Sequence, residues 1–395
     1  MPIPASPTHS TRRPDPARAA SSHSRNRPSS RARPTIPIPP GSPAHPECGS
    51  RPRGGSPADP CPVRTGLPGS VRLGSVKRVA RVLRRVLLGL LVLLVVVTGA
   101  SLTYNAFTGD HEAPPDGLRF AAAGDVNTRY ETWGTTGTPV VLVHGSAESV
   151  ETWSKLVPLL AQDHRVYAYD ITGYGYSERK APYTVEHLAA QLLGFLDAMH
   201  LGGPGQPRPI LVGHSLGAGI AAEATLEAPA RIGGLMFLDG DALPLPGQRA
   251  SFVRHVFVNP YKTSILRLVL GSDAIVRKAY TSACAQGCPA LDHAAVDQWT
   301  RPFRQPGAEN ALWQMTADGI PAVSPERLTT FKTLKVPTSV VFGALDTQGG
   351  SAPETATRIG APPPTIIPNA GHLTLISAPA EVTAAINALA TRETA

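Results

Sequence analysis

The chain has 395 residues, 42% of them hydrophobic, which is enough to bury one sizeable core and still carry tails. Residues 1–85 hold 16 Lys and Arg against 3 Asp and Glu, so a formal net charge of +8 leaves about −5 for the rest of the chain. The part able to fold is mildly acidic and has no basic stripe, which argues against nucleic acid as a partner.

The first segment is low in complexity. Residues 1–70 contain 17 of the 41 prolines, with few large apolar side chains, so we predict a disordered Pro/Arg/Ser-rich tail over residues 1–75. A further hypothesis is that the tail is not translated in the natural product, because a start near Val71 or Val76 would leave a short basic leader before an apolar run.

A membrane segment is predicted over residues 77–104. Residues 86–104 carry no charge and are about as long as a helix that crosses the hydrocarbon layer, while Lys and Arg crowd residues 77–85. The positive-inside rule then keeps the N-terminal side cytoplasmic and places the C-terminal domain outside. The alternative is a signal peptide, cleaved after a pattern that uses Thr98 and Ala100, which would give a secreted protein.

Short apolar runs then alternate with amphipathic stretches, which is typical of a mostly parallel sheet with helices on both faces. The predicted strands are residues 118–123, 128–133, 139–143, 165–169, 209–213, 234–238, 337–342 and 364–367. The clearest predicted helices are residues 151–162, which Pro158 bends or shortens, 184–199, 216–227 and 379–391.

The sixth and seventh predicted strands are separated by an unusually long connection. A structureless loop of that length is rare, so residues 241–330 are predicted to form a helical cap between two parts of one core, residues 115–240 and 331–395. Four aromatic residues of the cap either line a pocket or pack the cap onto the core. They are Tyr280, Trp299, Phe303 and Trp313.

The cap also holds Cys284 and Cys288, the only cysteines after the membrane segment. In an oxidising compartment they are expected to form a disulfide. Zinc binding is the weaker alternative, because no His or second Cys pair stands at ligand spacing, and no metal site is predicted. Cys48 and Cys61 lie in the tail and carry no inference.

A catalytic motif follows the fifth predicted strand. The sequence G-H-S-L-G at residues 213–217 leads directly into a predicted helix, the context in which G-x-S-x-G presents a nucleophilic serine. The glycines leave room for a strained turn that exposes the hydroxyl of Ser215 beside the free amides of the helix.

A serine nucleophile needs a base, and the base needs an orienting carboxylate. Asp346 and His372 each follow a predicted strand, and the carboxyl ends of parallel strands meet at one edge of a sheet. They are therefore the predicted acid and base, while Asp239 and Asp241, after the sixth strand, are alternative acids.

An oxyanion hole needs two backbone amides. Leu216 directly follows the nucleophile, and the sequence His144-Gly145-Ser146 follows the third strand, so the amides of Ser146 and Leu216 are predicted to bind the oxyanion. His144 is interpreted as a structural hydrogen-bonding residue rather than a second base.

Residues 115–392 thus resemble the α/β-hydrolase superfamily, in its capped branch with H-G after strand three. The turn from Asp170 to Ser177 is similar to the family pattern D-x-R-G-x-G-x-S, with Thr172 where arginine is usual. The resemblance implies an eight-stranded sheet, acyl transfer by a Ser-His-Asp triad, and no metal or organic cofactor. Related epoxide hydrolases and haloalkane dehalogenases have Asp at the nucleophile position, so Ser215 argues against those activities.

We therefore expect a membrane-anchored, extracytoplasmic serine hydrolase that acts on small carboxylic esters with a hydrophobic group. Rival enzymes with the same triad are a carbon-carbon bond hydrolase, a cofactor-free haloperoxidase or perhydrolase, and an aminopeptidase. A surface binding protein without activity is the non-enzymatic alternative. The sequence gives no indication of an oligomeric state.

Overall fold

The computed structural model describes residues 73–109, 112–244, 258–317 and 319–393. The predicted tail therefore lies outside the described residues, except that residues 73–75 already belong to the first helix. This helix, α1, runs from Leu73 to Phe107 and contains the predicted membrane segment. Its part from Lys77 to Phe107 is long and apolar enough to cross a membrane, and nearly all of its apolar side chains are exposed.

One mixed sheet organises the rest of the described chain, and it confirms the predicted strands to within two residues at each end. Its eight strands lie in the order β1-β2-β4-β3-β5-β6-β7-β8, and only the pairs β1–β2 and β2–β4 are antiparallel. The strands are β1 Arg119–Ala123, β2 Val126–Trp133, β3 Pro139–Val143, β4 Arg165–Tyr169, β5 Ile210–His214, β6 Gly234–Leu238, β7 Thr338–Gly343 and β8 Thr365–Ile367.

Both faces of the sheet are buried, because side chains alternate between two apolar clusters along each central strand. Val141 and Val143 belong to one cluster, whereas Val140 and Leu142 belong to the other, and all are fully buried. Helices α3 (Val185–Ala198) and α4 (Leu216–Glu227) cover the first face. Helices α2 (Val157–Leu160) and α12 (Pro379–Glu393) cover the second.

The predicted helix over residues 151–162 is wrong in its extent. The chain forms a short 3₁₀ turn over Val150–Trp153 and then α2, which is only four residues long. Pro158 stands in the first turn of α2, where its missing amide is tolerated, but it cannot continue a helix that begins earlier. The other three predicted helices agree with the structure to within two residues.

The connection between β6 and β7, called the β6–β7 insertion below, is helical in its described part. It contains α5 Tyr261–Leu270, α6 Asp273–Cys284, α7 His293–Thr300, α8 Ala308–Ala317 and α9 Pro325–Thr329. Two short elements complete the described core after β7, and they are α10 Ala352–Ile359 and α11 Thr374–Ser377. The loops after β3, β5, β6, β7 and β8 all leave the same edge of the sheet, since these strands are parallel.

Candidate active site

Ser215 occupies a strained turn between β5 and α4. Its φ of 51° and ψ of −118° lie in a region that side chains other than glycine rarely adopt. The flanking glycines permit this turn. A Cβ on Gly213 would lie 2.3 Å from the carbonyl oxygen of Gly217, and a Cβ on Gly217 would lie 2.1 Å from that of Val143. The G-x-S-x-G spacing is thus a steric requirement of the close approach between β5, α4 and the end of β3.

The structure brings the predicted base and acid to this serine. His372 Nε2 lies 3.0 Å from Ser215 Oγ, and His372 Nδ1 lies 3.0 Å from Asp346 Oδ2. A proton on Nδ1 is donated to the carboxylate, which leaves Nε2 free to accept the serine proton.

Asp346 is itself fixed in place. Its side chain is 1% exposed, and its Oδ1 accepts hydrogen bonds from the amides of Gln348 and Gly349 at 2.7 and 3.1 Å. Burial raises the pKa of Asp346, but the hydrogen bond and charge of His372, together with the two amides, outweigh burial and hold the pKa below its usual value. The carboxylate therefore stays ionised as the partner of the imidazole.

The side chains of the two alternative acids are hydrogen-bonded to groups other than the imidazole of His372. Asp239 is buried and accepts hydrogen bonds from the amides of Gly343 and Thr374, at 2.9 and 3.1 Å. Burial raises its pKa to about 6. Asp241 accepts a hydrogen bond from the amide of Leu243 at 3.0 Å. Asp239 thus joins the loops after β6, β7 and β8, and the geometry favours Asp346 as the orienting acid.

The two predicted oxyanion residues border the same cavity as Ser215. Leu216 is the first residue of α4, so its amide belongs to the unpaired first turn of that helix. Ser146 follows β3, and its Oγ lies 2.9 Å from Tyr174 Oη. This side-chain contact helps to fix the loop whose amide is proposed to face the reacting oxygen.

His144 is buried behind this loop. Its Nδ1 donates to the carbonyl of Gly145 at 2.8 Å, and its Nε2 accepts from the amide of Ile171 at 3.0 Å. Burial lowers its pKa to about 4, so the ring is neutral near pH 7. These contacts support the structural interpretation of His144.

Sequence reasoning missed a buried ion pair beneath the nucleophile. His214 Nδ1 lies 3.2 Å from Glu148 Oε2, and His214 Nε2 donates to the carbonyl of His372 at 2.8 Å. Glu148 also accepts from the amide of Gly145 at 2.9 Å. The pair joins the loops after β3 and β8 to the end of β5, and so it holds three parts of the site together.

The charges of this pair follow from burial and mutual attraction. Burial lowers the pKa of His214, but Glu148 raises it more, to about 9. Burial raises the pKa of Glu148, but His214 and the amide of Gly145 lower it more, to about 2. His214 is the variable residue of G-x-S-x-G and lies 66 positions from Glu148, so no local pattern connects them.

The site opens into a cavity of about 520 Å³. Ser215 and His372 line it, and the β6–β7 insertion supplies most of the apolar wall. Tyr280, Trp299 and Phe303 line this cavity, but Trp313 does not: it lines a separate cavity near α1, where Lys262 Nζ lies 5.6 Å from its ring centre.

The insertion also supports the backbone of the base. Cys284 and Cys288 form a disulfide at the end of α6, with their Cα atoms 6.0 Å apart. The amides of Gly371 and His372 donate to the carbonyls of Cys284 and Ala283, at 2.9 and 2.7 Å. The loop that carries His372 is therefore fastened to the insertion beside the disulfide.

Comparison with known proteins adds the following matches. A family model described as "Alpha/beta hydrolase family" matches residues 140–386. The 2-hydroxy-6-oxo-2,4-heptadienoate hydrolase of Pseudomonas putida is 35% identical over 125 residues, which are 30% of this chain and 43% of that protein. A pimeloyl-acyl-carrier-protein methyl ester esterase of Edwardsiella ictaluri is 28% identical over 131 residues, which are 32% of this chain and 47% of that protein.

A similar fold is found in the crystal structure of a membrane phospholipase A. The TM-score is 0.55 at 21% identity, over 79% of this chain and 99% of that one. Each of the two curated relatives is matched over less than half of its own length.

Proposed function

The chain belongs to the alpha/beta hydrolase family, and from this premise we propose that it is a serine hydrolase of carboxylic esters that carry a hydrophobic group. The observation that carries the proposal is the continuous hydrogen-bonded chain from Ser215 through His372 to Asp346, with 3.0 Å at each of its two steps. Such a chain is the arrangement that activates a serine hydroxyl near neutral pH.

The proposed reaction begins when Ser215 Oγ attacks the ester carbonyl carbon and His372 Nε2 takes the hydroxyl proton. The amides of Ser146 and Leu216 donate hydrogen bonds to the oxygen on which negative charge develops. His372 then gives its proton to the departing alkoxide, which leaves an acyl group on Ser215. Water, deprotonated by His372, releases the carboxylic acid and restores the serine.

The cavity favours an uncharged, hydrophobic substrate. Its wall is mostly aliphatic and aromatic, and the described lining residues include no Lys or Arg. Two acidic side chains, Glu148 and Asp241, are part of the lining, and Glu148 is already paired with His214. Among these described lining residues, a substrate carboxylate would find no Lys or Arg to offset the cost of its desolvation.

Carbon-carbon bond hydrolysis is the second candidate, because the relative from Pseudomonas putida is named for a dienoate substrate. The same lining argues against it, since a dienoate is anionic. The rival enzymes are distinguished by comparing the rates at which one preparation hydrolyses four substrates. These are p-nitrophenyl butyrate, a vinylogous diketone acid, an aminoacyl p-nitroanilide and a perhydrolase substrate. We expect the ester to react fastest.

The decisive variant is Ser215→Ala. We expect it to lose about 10⁵-fold in ester turnover and to lose labelling by a fluorophosphonate probe, because no other group replaces the nucleophile. Ser154→Ala is the matched control, since Ser154 is exposed and outside the cavity. Absent labelling of the natural chain, or equal labelling of Ser215→Ala, would favour the non-enzymatic binding protein instead.

We further propose that α1 anchors the chain in a membrane and that the catalytic part lies outside the cytoplasm. The exposed apolar surface of α1 and the basic residues before residue 86 support this placement. Protease added to intact cells tests on which side of the membrane the C-terminal domain lies. We expect the domain to be digested, whereas a cytoplasmic domain would be protected. Mass spectrometry of the mature N-terminus tests retention, because a chain that begins after Ala100 would indicate a cleaved signal peptide.

A further inference from the structure

An exposed apolar surface lies on the β6–β7 insertion, and we call it the apolar face. Five large aliphatic side chains on or beside α5 and α6 are between 37% and 55% exposed. They are Val258, Ile265, Leu268, Val269 and Ile275. Ile265, Leu268 and Val269 stand at positions i, i+3 and i+4 of α5 and so share one face of that helix. Exposed apolar patches on a folded domain are a feature of membrane or protein contact sites.

Helix α5 is fastened to α1 by polar contacts. The hydroxyl of Thr98 lies 2.5 Å from Tyr261 Oη, and that of Ser101 lies 2.5 Å from Ser264 Oγ. One turn further, Asn105 Nδ2 donates to the carbonyl of Pro260 at 2.9 Å.

Arg267 on α5 links α1 to α8. Its Nη1 donates to the carbonyl of Asn105 at 2.8 Å, and its guanidinium pairs with Glu309 on α8. These contacts fix where the insertion lies along α1. Because the apolar face belongs to the insertion, its place along α1 is fixed as well.

The height of this contact follows from helix geometry. At 1.5 Å per residue, Thr98 lies about 18 Å and Asn105 about 28 Å beyond Val86, where the uncharged stretch begins. The hydrocarbon layer is about 30 Å thick. If α1 spans, the contacts between α1 and α5 lie in the outer half of that layer, so the apolar face meets lipid rather than water.

The apolar face is continuous with the catalytic cavity. Val269 and Ile275 are exposed, and they also line the cavity that contains Ser215 and His372. Val269 and Ile275 therefore connect the apolar face to the cavity, and α5 holds this part of the insertion beside the C-terminal part of α1.

We propose that the cavity takes its substrate directly from the bilayer and that the substrate is a lipid ester whose acyl chain enters between α5 and α6. The proposal rests on the proposed function and on α1 as a membrane anchor. Hydrolysis of such an ester consumes one water and releases a carboxylic acid and a lipid alcohol, so it needs no co-reactant. The apolar face supplies the contact across which the acyl chain passes from lipid to the cavity.

The test uses the full chain in vesicles of phosphatidylethanolamine and phosphatidylglycerol. One substrate is a diacyl lipid with a quenched fluorescent acyl chain in the same vesicles, and the other is p-nitrophenyl butyrate in water. Ile265→Glu places a charge on the apolar face, outside the cavity lining. Ile366→Glu is the matched control, because Ile265 and Ile366 are each 44% exposed, and Ile366 lies on β8.

We expect Ile265→Glu to lower turnover of the lipid ester by about tenfold or more, since a carboxylate at the hydrocarbon boundary is costly, while butyrate turnover changes by less than about twofold. Ile366→Glu should leave both rates within about twofold. Equal loss of lipid turnover in both variants, or none in Ile265→Glu, overturns the proposal. Butyrate turnover reports the folded site, and Leu268→Gln is the second variant if Ile265→Glu does not fold.

Three further outcomes distinguish failure of the proposed function from failure of the present inference. If the natural chain hydrolyses no ester, the proposed function fails. If it hydrolyses butyrate but Ile265→Glu has unchanged lipid turnover, only the present inference fails. If Ile265→Glu instead converts a dimer to a monomer in detergent, without a selective loss of lipid turnover, the apolar face is an interface between copies of the chain and the inference is overturned.

Discussion

The edge of the sheet that carries Ser215, Asp346 and His372, called the sheet edge below, differs from the β6–β7 insertion in burial and in proposed role. At the sheet edge, fully buried strands and a network of hydrogen bonds hold Ser215, His372 and Asp346 within 3.0 Å of their partners. The insertion has aliphatic side chains that are about half exposed, and it supplies the apolar wall of the cavity. We infer that the sheet edge determines whether any ester reacts and that the insertion determines which ester arrives.

Substitution of the proposed catalytic acid, Asp346, is expected to have the largest effect on turnover and tests this division of roles. Asp346→Asn should lower kcat by about 10³-fold or more on every ester, because the amide favours the wrong imidazole tautomer. Asp241→Asn is the matched control and should remain within about threefold, since an asparagine oxygen can also accept the hydrogen bond from the amide of Leu243. Steady-state kinetics on short and long esters distinguish the two. The reverse ranking would make Asp241 the catalytic acid.

The next effect concerns the ion pair below the nucleophile. Glu148→Gln should lower the free energy of unfolding by about 3 kcal/mol, because it leaves the buried imidazole without its charged partner. Thermal or denaturant unfolding in detergent measures the change. Glu178→Gln is a control on an exposed carboxylate that accepts from the amide of Asn127. An unchanged stability of Glu148→Gln would show that the pair is not needed to hold the sheet edge together.

A smaller effect is the pH dependence of the same pair. The pKa of His214 is raised from 6.5 to about 9, so its stabilisation is complete below pH 6.5 and is lost as pH rises through about 9. The pKa of Glu148 is lowered from 4.5 to about 2, so its share is present above pH 4.5 and is lost as pH falls toward 2. The difference in unfolding midpoint between the natural chain and Glu148→Gln should therefore be largest between pH 4.5 and 6.5. A difference that grows from pH 7 to 9.5 would contradict this assignment.

The smallest effect sharpens the role of the insertion. Trp299→Ala enlarges the cavity where Trp299 packs edge-on against Tyr280, with ring centres 5.8 Å apart. We expect the ratio of kcat/KM for octanoate over butyrate esters to change by about tenfold, while the rate of fluorophosphonate labelling changes by less than about threefold. Trp313→Ala is the control, because Trp313 belongs to the insertion but not to this cavity. Equal shifts in both variants would mean that the insertion acts through stability alone.

The same two regions differ in how far the sequence predicts them. Central strands such as β3 and β5 are buried on both faces, so they appear as apolar runs bounded by turns, and their ends are predictable to within two residues. The positions of Ser215, Asp346 and His372 follow, because parallel strands deliver their loops to one edge. Local composition and topology are sufficient for this part of the site.

What was not predictable depends on contacts between distant segments. Glu148 and His214 are 66 positions apart, and each residue by itself is compatible with a solvated surface. Thr98 and Tyr261 are 163 positions apart, so the position of α5 against α1 leaves no periodic signal. Trp313 shows the same limit: an aromatic residue on an amphipathic helix packs toward whichever cavity the tertiary arrangement provides, and here that is the one beside α1.

The contact between the disulfide loop and the base has a consequence for exchanging modules between relatives. The amides of Gly371 and His372 donate hydrogen bonds to the carbonyls of Cys284 and Ala283. This short part of the insertion therefore supports the loop that carries His372 at the sheet edge. A chimaera that replaces the insertion to install a new specificity should therefore rejoin the original chain before Ala283 and retain residues 283–288. A graft that removes them would take away the backbone support of the imidazole together with the old substrate pocket.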